Sequence, residues 1–377
     1  MQNIDVCETC GVPLYLSGVA RWESNGVISC ALLPGGRGIF YECEAINGLF
    51  QSLEGLLGLS IEHILMESVR RDVREFMENF LSAQISEALT LPIGEKGKRS
   101  ELGDQAKLTE MREKQKAWNI QAITMGSVFG YGDARLGEEW ETGDRHPWRY
   151  QIIRDPYSIF FYAAAAIGTV EAFEKRDMWA RYESIGENAY KITVFPQSHY
   201  AGLAKRLQAG KVEKTFKSGD ISYERCPRCG IPSEISRHDW NLAQGTITDP
   251  DSGRRMVFIP TACVEAILAD LEAELGEEVP RVLIEAQRRT MKSLLAGENW
   301  SRSGWVFKPW IGSRGMGNLV HFKAAEKSLS VRIENSCVPA LMVGFCQALA
   351  ELAFGVESSG YQWNLSEDGD LSIHILV

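Results

Sequence analysis

The sequence predicts an α+β fold made twice: two homologous units from an internal duplication, each a small antiparallel sheet with packed helices, arranged as a pseudo-twofold dimer. Three observations carry this prediction. The phrase Cys-x-x-Cys-Gly-(Val/Ile)-Pro stands at Cys7 in CETCGVP and again at Cys226 in CPRCGIP. Shorter matches then follow in the same order. Gly26-Val27-Ile28 faces Gly245-Thr246-Ile247, Phe40 faces Phe258, and LEGLLG from Leu53 faces LEAELG from Leu271. Glu67, Arg70 and Arg71 face Glu285, Arg288 and Arg289. Last, the units end alike, with Phe173 facing Phe354, Tyr182 facing Trp363 and Ile192 facing Ile373. The units are expected at 1–215 and 216–377, with a polar insertion near 88–118 in the first and a charged, Gly-containing linker (KRLQAGKVEKTFKSGD) between them.

Each unit reads in one order. The knuckle leads into an extended segment and a short hairpin around Gly26 or Gly245, then a Gly-containing loop. Two helices follow. In the first unit Ile46, Leu49, Phe50, Leu53, Leu56 and Leu57 recur at helical spacing, and Gly58 is placed to end that helix. The next helix, SIEHILMESVRRDVREFMENFL, aligns Ile61, Leu65, Val69, Val73 and Phe76 on one face. Ser60 is its expected N-cap, although His63 stands where a capping box wants Glu or Gln. The insertion should start as loop and become an exposed helix from Gln105 to Trp118. Then come a Gly-rich stretch, a strand, an apolar helix and a hairpin turned by GENA or EDGD.

Composition bounds the function. A chain of 377 residues exceeds one ordinary core, and 45% apolar with 24% charged residues is ordinary for a globular protein. The net charge of −10 is the wrong sign for a phosphate-binding surface, so no nucleic-acid partner is expected. No apolar run reaches the roughly 18 residues of a membrane span. The first residues, MQNIDVCETC, lack the basic start and apolar core of a signal peptide, so a cytoplasmic location is expected.

Of the nine cysteines, four lie in the two knuckles. One Cys-x-x-Cys supplies two thiolates, and a structural zinc site needs four ligands. The economical expectation is one shared site from Cys7, Cys10, Cys226 and Cys229, with zinc as the cofactor and iron as the alternative metal. Two local sites remain open, with Cys30 and Cys43 available in the first unit and Cys263 in the second, as does an unmetallated set. A complete thiolate tetrahedron leaves no open position for chemistry, so such a site would be structural.

GYGDARLG (Gly130–Gly137) and GSRGMGN (Gly312–Asn318) hold corresponding places and set glycines beside Arg135 and Arg314. Such stretches could cradle a carboxylate or phosphate, or simply connect helix to strand. Trp140, Trp148, Trp300, Trp305 and Trp310 gather near them, which would suit a planar ligand or plain packing. Arg135, Arg314, Trp140 and Trp310 are therefore the candidate ligand-binding residues. The apolar helices YSIFFYAAAAIGTVEAF and VPALMVGFCQALAELAF carry small residues along their middles, which suits a core, a docked partner or a homo-oligomer contact. Six histidines are scattered, with no zincin spacing and no Gly-x-Ser-x-Gly, so no catalytic residue is nominated.

The end of the second unit, VRIENSCVPALMVGFCQALAELAFGVESSGYQWNLSEDGDLSIHIL, resembles the closing part of vinyl-4-reductase domains. Those are small α+β ligand-binding modules of bacteriochlorophyll-pathway proteins and aromatic-sensing transcription activators. The shared features are a strand ending in Asn-Ser, a helix with Cys near its start and small residues along it, then a hairpin. The resemblance implies a hydrophobic or aromatic small-molecule ligand. Members with a metal use a Glu, a helix-start Cys and two late cysteines. Glu285 and Cys337 match the first two, but SSGYQWNLSEDGD has no Cys and the first unit has RDPYS at the helix start. The knuckles would move the metal elsewhere. The expected function is small-molecule binding on a zinc-held duplicated scaffold. An enzyme on an aromatic or tetrapyrrole-like substrate, or an assembly protein docking through its apolar helices, are the alternatives.

Overall fold

The computed structural model describes residues 4–32, 36–80, 102–142, 144–199, 207, 215–298 and 307–377. Most of the expected linker, the start of the insertion, and Trp300 and Trp305 lie outside the described residues. By internal contact the chain forms two compact units that do not follow chain order. One gathers Glu62–Gln208 with the short segment Asn241–Thr246; the other gathers Asp5–Ile61, Ala209–Trp240 and Ile247–Val377. No described helix is long and apolar enough to cross a membrane.

The strands in chain order are β1 (Ala20–Trp22), β2 (Ile28–Cys30), β3 (Arg37–Glu42), β4 (Asp133–Leu136), β5 (Tyr150–Arg154), β6 (Met178–Gly186) and β7 (Ala189–Pro196). They continue with β8 (Asp239–Asn241), β9 (Thr246–Thr248), β10 (Arg255–Pro260), β11 (Asn318–Ala324), β12 (Ser328–Glu334), β13 (Gly360–Leu365) and β14 (Leu371–Leu376).

The first unit builds a four-stranded antiparallel sheet in the order β4-β5-β7-β6. The apolar helix Ile159–Glu174 lies on this sheet and packs against helix Glu62–Phe80. β6 alternates only over its first residues, and the two-residue turn of the β6–β7 hairpin places Asn188 at φ 47, the left-handed region Asn tolerates. The expected insertion helix forms as part of a longer one, Leu102–Val128, and it is exposed only in part. Gln115, Trp118 and Asn119 are buried, and the Trp118 ring stands edge-on to Phe173 at 4.7 Å. The polar composition of the segment reflects its other faces (Lys114, for one, is exposed), and one large ring is enough to dock it.

The second unit carries a sheet of the same order, β11-β12-β14-β13, with helix Pro339–Phe354 laid on it. Helix Val279–Leu294 packs between this helix and helix Cys43–Leu57. As expected, Gly58 ends the latter in the left-handed conformation, its N–H returning to the Glu54 carbonyl at 2.8 Å. The Ser60 hydroxyl donates to the Glu54 carboxylate. A further sheet runs β1-β2-β3-β10-β9-β8, a palindrome about the antiparallel β3–β10 pair. There Phe40 and Phe258, matched in the sequence, are direct register partners with ring centroids 5.3 Å apart. Gly26 (φ 75) turns the β1–β2 hairpin and its carbonyl accepts from the Gly317 N–H at 3.0 Å. In the first unit Gly245 (φ 60) does the same toward the Gly132 N–H at 2.9 Å.

Candidate metal centre and ligand cleft

The two knuckles fold alike because their sequences do. In the first, the Cys7 N–H donates to the Val12 carbonyl and the Gly11 N–H to the Cys7 carbonyl, both at 2.8 Å. In the second, Cys226 and Ile231, then Gly230 and Cys226, repeat those bonds at 2.9 Å. Gly11 and Gly230 take φ 76 and φ 74, which a Cβ would penalise. Both loops belong to the second unit, and they bring their sulfurs together. Cys7 Sγ lies 3.8 Å from Cys226 Sγ and Cys10 Sγ lies 3.5 Å from Cys229 Sγ. All four sulfurs lie within 4.8 Å of one another. Four thiolates at about 2.3 Å from a tetrahedral ion would stand about 3.8 Å apart, so the donor set fits a metal ion.

The thiols are primed unequally. Backbone N–H groups of Cys229 and Arg228 aim at Cys226 and lower its pKa to about 6. Burial opposes charge on Cys7, but the amides of Thr9 and Cys10 outweigh it and the pKa falls. Burial raises both Cys10 and Cys229. A cation at the centre would draw all four to thiolate. At the surface Glu8 of one loop pairs with Arg228 of the other at 3.0 Å.

The second knuckle runs on into a short helix, Ser233–Ser236, started by the Ser233 N–H donating to the Glu224 carbonyl at 2.8 Å. Its far side lines a cleft of about 300 Å³, with Glu234, His238, Asp249, Trp310 and Arg314 among the lining residues. The structure thus brings together two of the four predicted ligand residues, Arg314 and Trp310, with groups the sequence had not singled out. Arg314 is buried, donates to the Glu42 carboxylate at 2.6 Å, and lies 4.0 Å over the Trp310 ring. Trp310 also stacks on Phe345 at 5.2 Å and 4°. Trp310 is thus packed between protein groups as well as lining the cleft. The backbone here is tied to β1 and β3: Trp22 Nε1 donates to the Ser313 carbonyl at 2.6 Å and the Phe40 N–H to the Arg314 carbonyl at 3.0 Å.

His238 is 8% exposed. Its Nδ1 lies 3.0 Å from the Ile235 carbonyl, which assigns the proton to Nδ1 and leaves Nε2 an acceptor. Burial, then the charge of Arg314, hold its pKa below the ordinary imidazole value. Burial also opposes charge on Asp249, but the Asp251 amide leads the contributions that bring its pKa down.

Arg135 and Trp140 lie in the first unit. Arg135, on β4, closes on Asp133 two residues away with bonds of 2.7 and 3.0 Å, and half its side chain is exposed. Trp140 is buried, and its carbonyl accepts from Arg112 at 3.0 Å. Glu285, which the family resemblance would enlist for a metal, is held by Arg288 and Arg289, Arg288 first, and its pKa falls to about 2.

A second group of metal-ligand type, Glu171, Asp177 and His199, lies in the first unit. Glu171 is fully buried and its carboxylate is already taken by Arg70, His199 and the Met178 N–H, with Arg74 3.6 Å away. A cation there would have to displace guanidinium groups. The second unit repeats the pattern, with Arg288 and Lys292 at 2.7 and 2.9 Å from the buried Glu351. We assign both as ion-paired core clusters.

Comparison with protein-family models, with curated proteins and with solved structures finds no match to this chain. What sequence reasoning missed has one local signal: Glu234 and His238 stand four residues apart directly after a knuckle, a spacing that sets both on one side of a helical turn. The Glu42 partner of Arg314 has no such signal.

Proposed function

We propose that this chain is a small-molecule-binding protein of vinyl-4-reductase-like kind, built from a duplicated unit and held by one structural zinc. The observation that carries the reading is the convergence of Cys7, Cys10, Cys226 and Cys229, because two half-sites so far apart in sequence meet at the spacing of a tetrahedral ion. The duplication is supported by the shared strand order of the two four-stranded sheets, by the palindromic sheet about Phe40 and Phe258, and by the paired buried carboxylates Glu171 and Glu351. Zinc is favoured over iron because no second group among the described residues calls for electron transfer. The cleft beside Arg314 supports ligand binding. It shares the 224–238 segment with the second knuckle, so metal loading would order one wall of the cleft.

Native mass spectrometry of the freshly purified full chain tests this. The expected spectrum shows one zinc per chain, and aromatic carboxylates such as benzoate raise the unfolding temperature of the zinc-loaded protein. A chain that carries zinc but shows no thermal response to any aromatic acid, and no co-purified small molecule, would retire the ligand-binding reading.

A further inference from the structure

Two buried polar atoms in the cleft walls have no hydrogen-bond partner among the described residues: Nε2 of His238 and Oε2 of Glu234. Both are acceptors. The Ile235 carbonyl fixes the proton of His238 on Nδ1, and a carboxylate oxygen carries only lone pairs. Buried acceptors without donors are costly and uncommon, and these two stand four residues apart, Glu234 in the short helix and His238 just beyond its end, which gives the cleft an acceptor wall. Arg314 supplies the complementary donor. Its guanidinium is already fixed by Glu42 and by Trp310, so it reaches a ligand without losing further side-chain freedom. At about 300 Å³ the cleft is at the small end of ligand sites.

We infer that the cleft takes a small amphoteric molecule, with N–H or O–H donors for His238 Nε2 and Glu234 Oε2 and a carboxylate or carbonyl acceptor for Arg314. This rests on the reading of the cleft as a ligand site and narrows it. A purely apolar or purely acidic ligand would leave the acceptor wall unpaired, and a site built to pair a donor rejects the analogue that lacks it.

The test uses the zinc-loaded full chain and three probes by calorimetric titration: 4-aminobenzoate, which has both donor and acceptor, benzoate, which has only the acceptor, and aniline, which has only the donor. The expected result is that 4-aminobenzoate binds about tenfold or more tightly than either. His238→Phe should abolish the preference, bringing 4-aminobenzoate down to the level at which the same variant binds benzoate. Glu234→Gln, which keeps the shape and turns part of the acceptor wall into a donor, should also weaken 4-aminobenzoate and serves should the His238 variant fail to fold. Equal binding of 4-aminobenzoate and benzoate to the unaltered protein, or a preference that survives both substitutions, overturns the inference and leaves the cleft a binding site for other chemistry. Failure of all three probes to bind overturns the inference, and the ligand-site reading falls with it when no small molecule co-purifies either.

Discussion

Arg135 and Arg314 sit in matched glycine stretches of the two units and meet different fates. Arg135 emerges half-exposed on β4 and closes on Asp133, its neighbour but one. Arg314 is buried, donates to Glu42 from the end of β3, and is packed on Trp310. The frameworks around them agree, with sheets β4-β5-β7-β6 and β11-β12-β14-β13 each carrying an apolar helix and a buried carboxylate. Arg135 follows Gly132 by three residues, inside β4, whereas Arg314 precedes Gly317 by three, before β11, so the place in the stretch and the partner that arrives from elsewhere in the chain together decide whether an arginine lies at the surface or in a cleft.

Removing each arginine separates the two cases most sharply. Arg314→Leu leaves the buried Glu42 with only Arg254, 4.0 Å away, and should cost up to about 3–5 kcal/mol. Arg135→Leu removes the half-exposed member of its pair, and the buried Asp133 keeps Arg154 at 3.6 Å, so the cost should be about 1 kcal/mol. Urea unfolding followed by tryptophan fluorescence measures both, and comparable losses would erase the distinction drawn between the two loops.

The hairpin glycines probe where the units agree. An added Cβ would fall 2.1 Å from the Gly317 carbonyl oxygen at Gly26, and 2.1 Å from that of Gly132 at Gly245. With a left-handed backbone as well, Gly26→Ala and Gly245→Ala should each cost about 1–3 kcal/mol, and by similar amounts. A loss at one position with none at the other would mean that the two hairpins are not equivalent.

What the sequence made legible was local. The knuckles, the helix stop at Gly58 and the hairpin turns at Gly26 and Gly245 depend on neighbours within a few residues, and each stands where the pattern put it. Long-range packing was not legible. Helix Leu102–Val128 reads as polar, yet Trp118 finds Phe173 and ties it down. Arg314 reads as a loop residue until Glu42 reaches it. His238 was one of six scattered histidines, and only burial beside a cleft, with one nitrogen held and the other unpaired, gives it a role. The knuckles were the exception, since chemistry demanded four ligands and each phrase offered two.

The most direct measurement of the central claim is the metal content of the full chain against that of a Cys7→Ser, Cys10→Ser variant, determined by elemental analysis after gel filtration. One zinc per unaltered chain and none in the variant is the predicted result, since two thiolates do not hold a structural tetrahedral ion. Stability should fall by several kcal/mol in step, because the ion clips distant parts of the chain together. Two metals in the unaltered chain, or one retained on Cys226 and Cys229 in the variant, would contradict a shared site.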